Sequence, residues 1–469
     1  MSTVEELPQK PSPTYGLHAN ALGPVETLAQ SISAIAPSTS SSLTIPLVFA
    51  LAGNGAWLVY LLATGAMLLV GACIGRFARA SASPGSLYSY AAQSLPPAIS
   101  GLSAWGLFIA YVATGASVAG GALYYVVLFT RQVLHAAPHP IVALTVVCAG
   151  AAAIACRNVK LSAQLMLWIE IVSVAMVLIV LAVLVFHYGV RIDNDQFALR
   201  GVHFSSFGPA LVLSIFSFVG FESATALGAE ARDPLRSIPR AVLQSALIAG
   251  TFFMLCAYSE VLGFRGISAD LSQSTSPLHL LAERARISPL GIGIDIGALI
   301  SMFACVLACT TAAARVLLRM AHDGMAPRIL RRTSLNQGTP TAAIVASSVL
   351  MILATSGMAL GGKAGFEMYD LAGSLSVFGF LTAYALVAVA APLAERANGA
   401  AAFRVLPLSG ATVAVIILIA VVDLRSASDP AHARIPWIYL GCLGVGLLIQ
   451  IASRNGNRRA QILTRSLSE

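Results

Sequence analysis

The chain has 469 residues, 57% of them hydrophobic and only 10% charged, with a formal net charge of +8. A water-soluble domain of that size needs far more polar surface, so lipid is the implied solvent. The positive excess sits in segments that would flank membrane spans, which speaks for orientation in a bilayer and against a nucleic-acid partner.

Residues 1–25 are polar, rich in Pro and lack an apolar core, so they read as a cytoplasmic tail without a signal peptide. Twelve apolar windows follow, at 26–49, 56–76, 98–129, 139–157, 161–187, 207–229, 239–263, 289–320, 340–357, 366–391, 404–423 and 435–453. Each is about long enough to cross a hydrocarbon core as a helix. A β-barrel would need strands of alternating polarity, whereas Val172 to Val185 is apolar at every position but Ser173. With the N-terminus inside, the inner loops and tails carry 19 Lys and Arg against nine outside. That bias predicts a multi-pass protein of the inner or plasma membrane with both termini cytoplasmic, and residues 454–469 form the second tail. Cys73, Cys148, Cys156, Cys256, Cys305, Cys309 and Cys442 all lie in or at the ends of spans without CxxC spacing, so neither disulfides nor a metal site are expected.

Two spans are broken internally. In the first, SISAIAPSTSSSLTIP (Ser31 to Pro46), Pro37 removes a backbone donor and five hydroxyl residues follow it. In the sixth, FSFVGFE (Phe216 to Glu222) places Gly220 and the ionisable Glu222 in an otherwise apolar segment. Interrupted segments five helices apart point to an inverted-repeat transporter with a midplane site. The expected fold is therefore an all-α polytopic membrane protein with a 5+5 inverted repeat. Spans 1–5 (26–187) and 6–10 (207–391) are the repeats, and two helices (404–453) are added. Kinks in ordinary membrane helices are the plainer alternative.

Three stretches then carry a resemblance. Phe216 to Val242, FSFVGFESATALGAEARDPLRSIPRAV, resembles the sixth helix and following loop of the amino acid/polyamine/organocation superfamily. Ala312 to Pro327, AAARVLLRMAHDGMAP, is similar to that superfamily's eighth helix, and Pro84 to Tyr90, PGSLYSY, with Gly101 and Trp105, to its second and third. The resemblance covers roughly residues 25–455. It implies a leucine-transporter-like fold and alternating access around a site between helices 1, 3, 6, 8 and 10. It also implies a small amino acid or amine as substrate, with proton coupling or exchange.

The first break, at Ala36, Pro37, Ser38, Thr39 and Ser40, offers helix ends of opposite polarity to an ammonium and a carboxylate. The superfamily's Gly-x-Gly element falls at Pro37 and Thr39 here, so side-chain hydroxyls are expected to take over part of the anchoring. In the second break, Phe216, Ser217, Gly220 and Glu222 complete the candidate site. The resemblance assigns Phe216 the cap over the ligand and Glu222 the gate, as a proton sensor or amine ligand. An ionisable group at that depth is costly enough to be functional. Glu170 is the other midspan acid and a candidate proton site. Ser173 stands where some proton-coupled relatives carry a Lys, and Lys160 reads as an inside-positive anchor. Neither midspan acid has a midspan cationic partner. Thr310 and Thr311 are the hydroxyls expected to complete a sodium-like site, and Trp105, Tyr111 and Tyr384 to line the pathway. For Phe216, Glu170 and the hydroxyls the alternative is plain packing or backbone bonding.

No GxSxG or HExxH sequence is present, so no enzyme, cofactor or partner protein is expected. A channel would more naturally show rings of charge. The favoured function is a secondary transporter of an amino acid, by proton symport or exchange; an amine or polyamine permease of the same fold is the alternative.

Overall fold

The structure is a computed structural model describing residues 15–188, 192–202, 204–274, 276–334, 336–397, 402–426 and 430–466. Among them every regular element is helical, and β-pairing is limited to two isolated bridges. Ten helical stretches are long and apolar enough to cross a membrane, which makes this a multi-pass membrane protein.

The main helices are α1 (Pro24–Ile35), α2 (Ile45–Ala52), α3 (Ala56–Ala78), α4 (Pro97–Leu134), α5 (Pro140–Arg157), α6 (Val159–Tyr188), α7 (Phe207–Phe216), α8 (Pro234–Gly263), α9 (Ser288–His322), α10 (Thr341–Leu360), α11 (Gly365–Ala397), α12 (Leu406–Ser426) and α13 (Pro430–Ser466). Proline in the first turn starts α1, α4, α5 and α8, where its missing N–H would have had no partner. The first apolar stretch runs 55 residues, from Pro24 to Ala78, and turns at Gly53–Gly55, where Gly53 takes φ +51°. The last helix continues through the expected second tail as far as Ser466.

Small residues let α4 and α11 cross at close range. A Cβ on Gly379 would stand 2.8 Å from the Ala110 Cβ, and one on Gly120 would stand 2.6 Å from the Met368 Cβ. This pair forms the centre of the bundle, against which both broken helices lean.

The two faces of the bundle are closed differently. On the face holding the N-terminal segment, residues 1–14 lie outside the described part, and the chain from Tyr15 is built into the fold. Leu22 N–H donates to the Glu230 carbonyl at 3.1 Å, and Arg232 N–H donates to the Leu22 carbonyl at 2.7 Å. Tyr15 meets Arg319, which also donates to Asp323 at 2.8 Å, and the Tyr88 hydroxyl donates to the same carboxylate at 2.6 Å. On the far face Arg265 donates to Asp193 at 3.0 Å and also to Asn54, whose amide donates to the Arg200 carbonyl at 2.7 Å. Partial burial alone would raise the Asp193 carboxyl, but the bonds from Gln196 and Arg265 outweigh it and hold it below the ordinary carboxylate range.

A cation lies inside the bundle. Arg315 on α9 is 2% exposed and grips Glu230, 0% exposed, through Nε at 2.5 Å and Nη2 at 2.8 Å. Its Nη1 donates to the Thr311 carbonyl at 3.0 Å. One buried Arg within an apolar helix carries no local sign of its partner 85 residues away. Removing one member of such a pair leaves an uncompensated buried charge. Arg315→Met is therefore expected to cost about 3–5 kcal/mol of stability. Arg200→Met, at an ion pair whose side chains are 73% and 46% exposed, is expected to cost under about 1 kcal/mol. Thermal melting of the detergent-purified variants checks the contrast; equal melting temperatures would contradict it.

Candidate functional site

The first break is built around Ala36, which adopts the left-handed conformation at φ 49° and ends α1 with its N–H on the Ile32 carbonyl. Pro37 cannot donate, and the chain re-enters a helix through Pro37–Thr39 and a π-helical turn at Ser40–Thr44. The Thr39 and Ser40 N–H groups both turn back to the Ala36 carbonyl, at 3.0 and 3.2 Å. The hydroxyls of Ser38 and Thr39 are buried and have no partner among the described residues.

In the second break, α7 stops at Phe216 and the chain proceeds by tight turns to a 3₁₀ segment, Ser223–Leu227. Gly220 sits at φ +91°, and a Cβ there would stand 2.7 Å from the Ala34 Cβ and 3.2 Å from the Ala34 carbonyl. Glycine is needed twice over, for the conformation and for the approach of one backbone to the other. The breaks then satisfy each other. The Ser223 hydroxyl donates to the Gln30 carbonyl at 3.0 Å, and the Ala224 N–H donates to the Ser31 hydroxyl at 3.0 Å. Helix α9 adds the Cys305 thiol on the Ala34 carbonyl at 3.2 Å and accepts the Gln30 amide on the Ala308 carbonyl at 2.9 Å.

Glu222, fully buried, accepts from the Tyr111 hydroxyl of α4 at 2.8 Å and the Tyr384 hydroxyl of α11 at 2.6 Å. One donor stands on each carboxylate oxygen, so in this conformation Glu222 ties the broken helix to the central pair. Phe216 packs edge-on against Tyr369 with ring centroids 5.5 Å apart, and its ring fills the space over Gly373. The Tyr369 hydroxyl in turn meets Thr44 of the first break at 2.9 Å. Thr44, Phe216 and Tyr369 wall a small cavity, and Asp370, Ser374 and Asp423 line both it and a wider one of about 400 Å³ reaching His432. Tyr369, Asp370 and Asp423 were not among the sequence candidates; an aromatic and an Asp near the start of α11 were the available signal.

Of the other candidates, Glu170 lines a cavity that also reaches Pro37. Glu170 takes the Ser301 hydroxyl at 2.9 Å on one oxygen, and the Ser173 hydroxyl donates to the Gly297 carbonyl at 2.9 Å, so both tie α6 to α9. Thr310 turns toward the Met351 sulfur at 3.6 Å, whereas the buried Thr311 hydroxyl has no partner among the described residues. Ser217 meets the Tyr60 hydroxyl at 3.2 Å. Trp105 packs under Gly446 of α13, away from the breaks. No cluster of three or more metal-ligating side chains occurs among the described residues.

Two mutually docked helix breaks inside a membrane bundle define a class of membrane protein with a buried, partly unwound centre. The comparisons narrow that class. The amino acid permease family model matches residues 28–425, and the chain belongs to that family. It is 27% identical over 282 residues to the low-affinity putrescine importer PlaP of Escherichia coli, covering 57% of this chain and 60% of the importer. It is 29% identical over 385 residues to an uncharacterized transporter of Mycobacterium tuberculosis, covering 80% and 78% of the two chains. In fold it matches a crystallised mutant of a manganese transporter from Eremococcus coleocola over 98% of both chains, with a TM-score of 0.59 and 13% identity.

Gly220→Ala is expected to lower the melting temperature, because strain of about 1–3 kcal/mol adds to the clash with Ala34. Gly357→Ala in α10, where an added Cβ meets nothing within 4 Å, is expected to be neutral or slightly stabilising. Equal losses in the two variants would contradict this account of the second break.

Proposed function

We propose that the protein is a secondary transporter that moves an amino acid across the cell's inner or plasma membrane by alternating access, coupled to protons or in exchange. Both termini are then cytoplasmic. The observation that carries this reading is the docking of the two breaks, with Gly220 against Ala34 and two buried hydroxyls, Ser38 and Thr39, still unpartnered beside them. Irregular backbone at that depth is tolerated where it lines a cavity or meets a ligand. Counting the turn at Gly53–Gly55 as a reversal, and α7 with the segment to Leu227 as one crossing, gives twelve crossings. On that count α1–α6 and α7–α11 form the two inverted repeats, with α12 and α13 appended.

In this scheme the substrate lies between Ala36–Ser40 and Ser217–Glu222. Its carboxylate is taken by the unpartnered Ser38 and Thr39 hydroxyls at the start of the helix that follows the first break. Phe216, backed by Tyr369, closes the far-face path over it. Glu222 is the gate, since moving the broken helix requires releasing the Tyr111 and Tyr384 hydroxyls. Hydrogen bonds to a charged group contribute about 1.5–3 kcal/mol each. Glu222→Gln is therefore expected to shift the balance of inward and outward states and flatten the pH dependence of transport while the fold survives; an unchanged pH profile would remove it from the gate. Phe216→Ala is expected to weaken substrate affinity more than expression, and unaltered affinity and turnover would take it out of the site.

One observation favours an amine. Asp370 and Asp423 stand in the cavities that reach Phe216 and Tyr369 from the far face, and a putrescine importer is among the relatives. Thermal-shift screening of the purified protein against the twenty amino acids and common biogenic amines separates the two readings, because a ligand bound only by the folded state raises its melting temperature. Stabilisation by an amino acid but not by its decarboxylated amine is the expected result. Stabilisation by amines alone would replace the amino acid with an amine.

A further inference from the structure

Glu260 stands three residues before the end of α8, inside the bundle and fully buried. Neither of its carboxylate oxygens has a hydrogen-bond partner among the described residues. Among the described residues the other three fully or nearly buried acids each have at least one partner: Glu222 two tyrosines, Glu230 Arg315, and Glu170 Ser301 on one of its two oxygens. An ionised carboxylate without donor or cation in such a place costs several kcal/mol, and a bound proton removes that cost.

The groups around it are few. Cys256 lies one turn earlier on the same helix and is buried. From α3 comes Tyr60, with its ring 5.5 Å from Phe253, which lies two turns before Glu260 on α8. Helix α2, IPLVFALA, brings no titratable side chain. Among the described residues, Arg265 and Arg284 at this end of α8 are engaged elsewhere. Arg265 holds Asp193 and Asn54, and Arg284 donates to the Gly263 and Arg265 carbonyls at 2.5 and 3.0 Å. On the short helix Pro277–Arg284, His279 pairs with Asp295 at 2.6 Å and with Glu283 at 3.5 Å. Tyr258 accepts the Asp193 N–H at 2.9 Å.

We infer that Glu260 is a proton-binding site: it carries a proton in this conformation, and that proton is the one coupled to movement of the second break. The link is Tyr60, whose hydroxyl lies 3.2 Å from the Ser217 hydroxyl, the first residue after α7 ends. When Glu260 gives its proton to water on the side that opens, the carboxylate left behind needs a donor, and that role falls to the Tyr60 hydroxyl, on the helix packed against α8. Recruiting it takes the hydroxyl from Ser217 and loosens the break; re-protonation returns it. No bond other than O–H is made or broken, and one proton is taken up and one released per cycle.

The coupling role rests on the transporter reading above, so the test separates the two. Protein in liposomes is assayed with labelled leucine and labelled putrescine, first for counterflow at equal pH and then for accumulation under an imposed pH gradient. Glu260→Gln mimics the protonated form and is expected to keep its melting temperature and counterflow but to accumulate no label above equilibrium. Glu260→Asp is expected to keep accumulation with a shifted pH profile, and Tyr60→Phe to lower it. Full gradient-driven accumulation by Glu260→Gln would overturn the coupling role. If the wild type itself shows counterflow but no response to the gradient, proton coupling in the transporter reading falls and takes the coupling role with it. The bound proton is read without any substrate, as the carbonyl stretch of a protonated carboxylic acid in the infrared difference between wild type and Glu260→Gln at neutral pH. Its presence is the expected result, and its absence would overturn the site.

Discussion

Within a bilayer, each backbone N–H and C=O that leaves a helical ladder has to be met by another part of the protein, and the centre of this molecule is arranged around that requirement. The chain leaves the ladder at Ala36 and again after Phe216; local turn bonds, such as those from Thr39 and Ser40 to the Ala36 carbonyl and from Val219 to the Phe216 carbonyl, meet part of each departure, and the other break meets more of it. The Ser223 hydroxyl caps the Gln30 carbonyl, the Ser31 hydroxyl receives the Ala224 N–H, and the Cys305 thiol covers the Ala34 carbonyl. Gly220 makes this geometry accessible by letting the second break approach the first to within contact of its backbone. The breaks are thus each other's solvent, and any movement of one disturbs the bonds of the other.

Buried charge is handled by the same logic of local provision. Arg315 and Glu230 neutralise each other beside the N-terminal segment, and the Leu22 pairing with 230–232 lays that segment over the pair. Glu222 joins α4, the broken helix and α11 into one hydrogen-bonded unit. The α4–α11 crossing, tight because glycines stand at Gly106, Gly120 and Gly379, gives that unit a rigid base. The breaks are buried in the same apolar core as the α4–α11 pair, and these polar contacts join them to each other and to it.

The helical class, the membrane and both breaks were legible in the sequence because each rests on a local property: apolar runs of sufficient length, Pro37 in one span, Gly220 and Glu222 in another. The partners of those features were not legible. Tyr111 and Tyr384 read as pathway aromatics, although their hydroxyls close on Glu222 from 111 and 162 residues away. Arg315 and Glu260 were not among the sequence candidates at all. Burial of a single polar residue in an apolar helix depends on which neighbours face it, and periodicity does not record that. The cavity at Asp370 and Asp423 likewise joins the ends of two helices that sequence reading treated separately.

The central claim is that these docked breaks serve a carrier, and counterflow tests it most directly. Purified protein in liposomes is loaded in turn with unlabelled amino acids and amines, diluted into labelled solute, and followed in time. The account predicts that at least one trapped solute produces a transient accumulation of label above its equilibrium level. Label that equilibrates at the same rate whether or not solute is trapped inside, as through a pore, or that fails to enter with every solute, would contradict it.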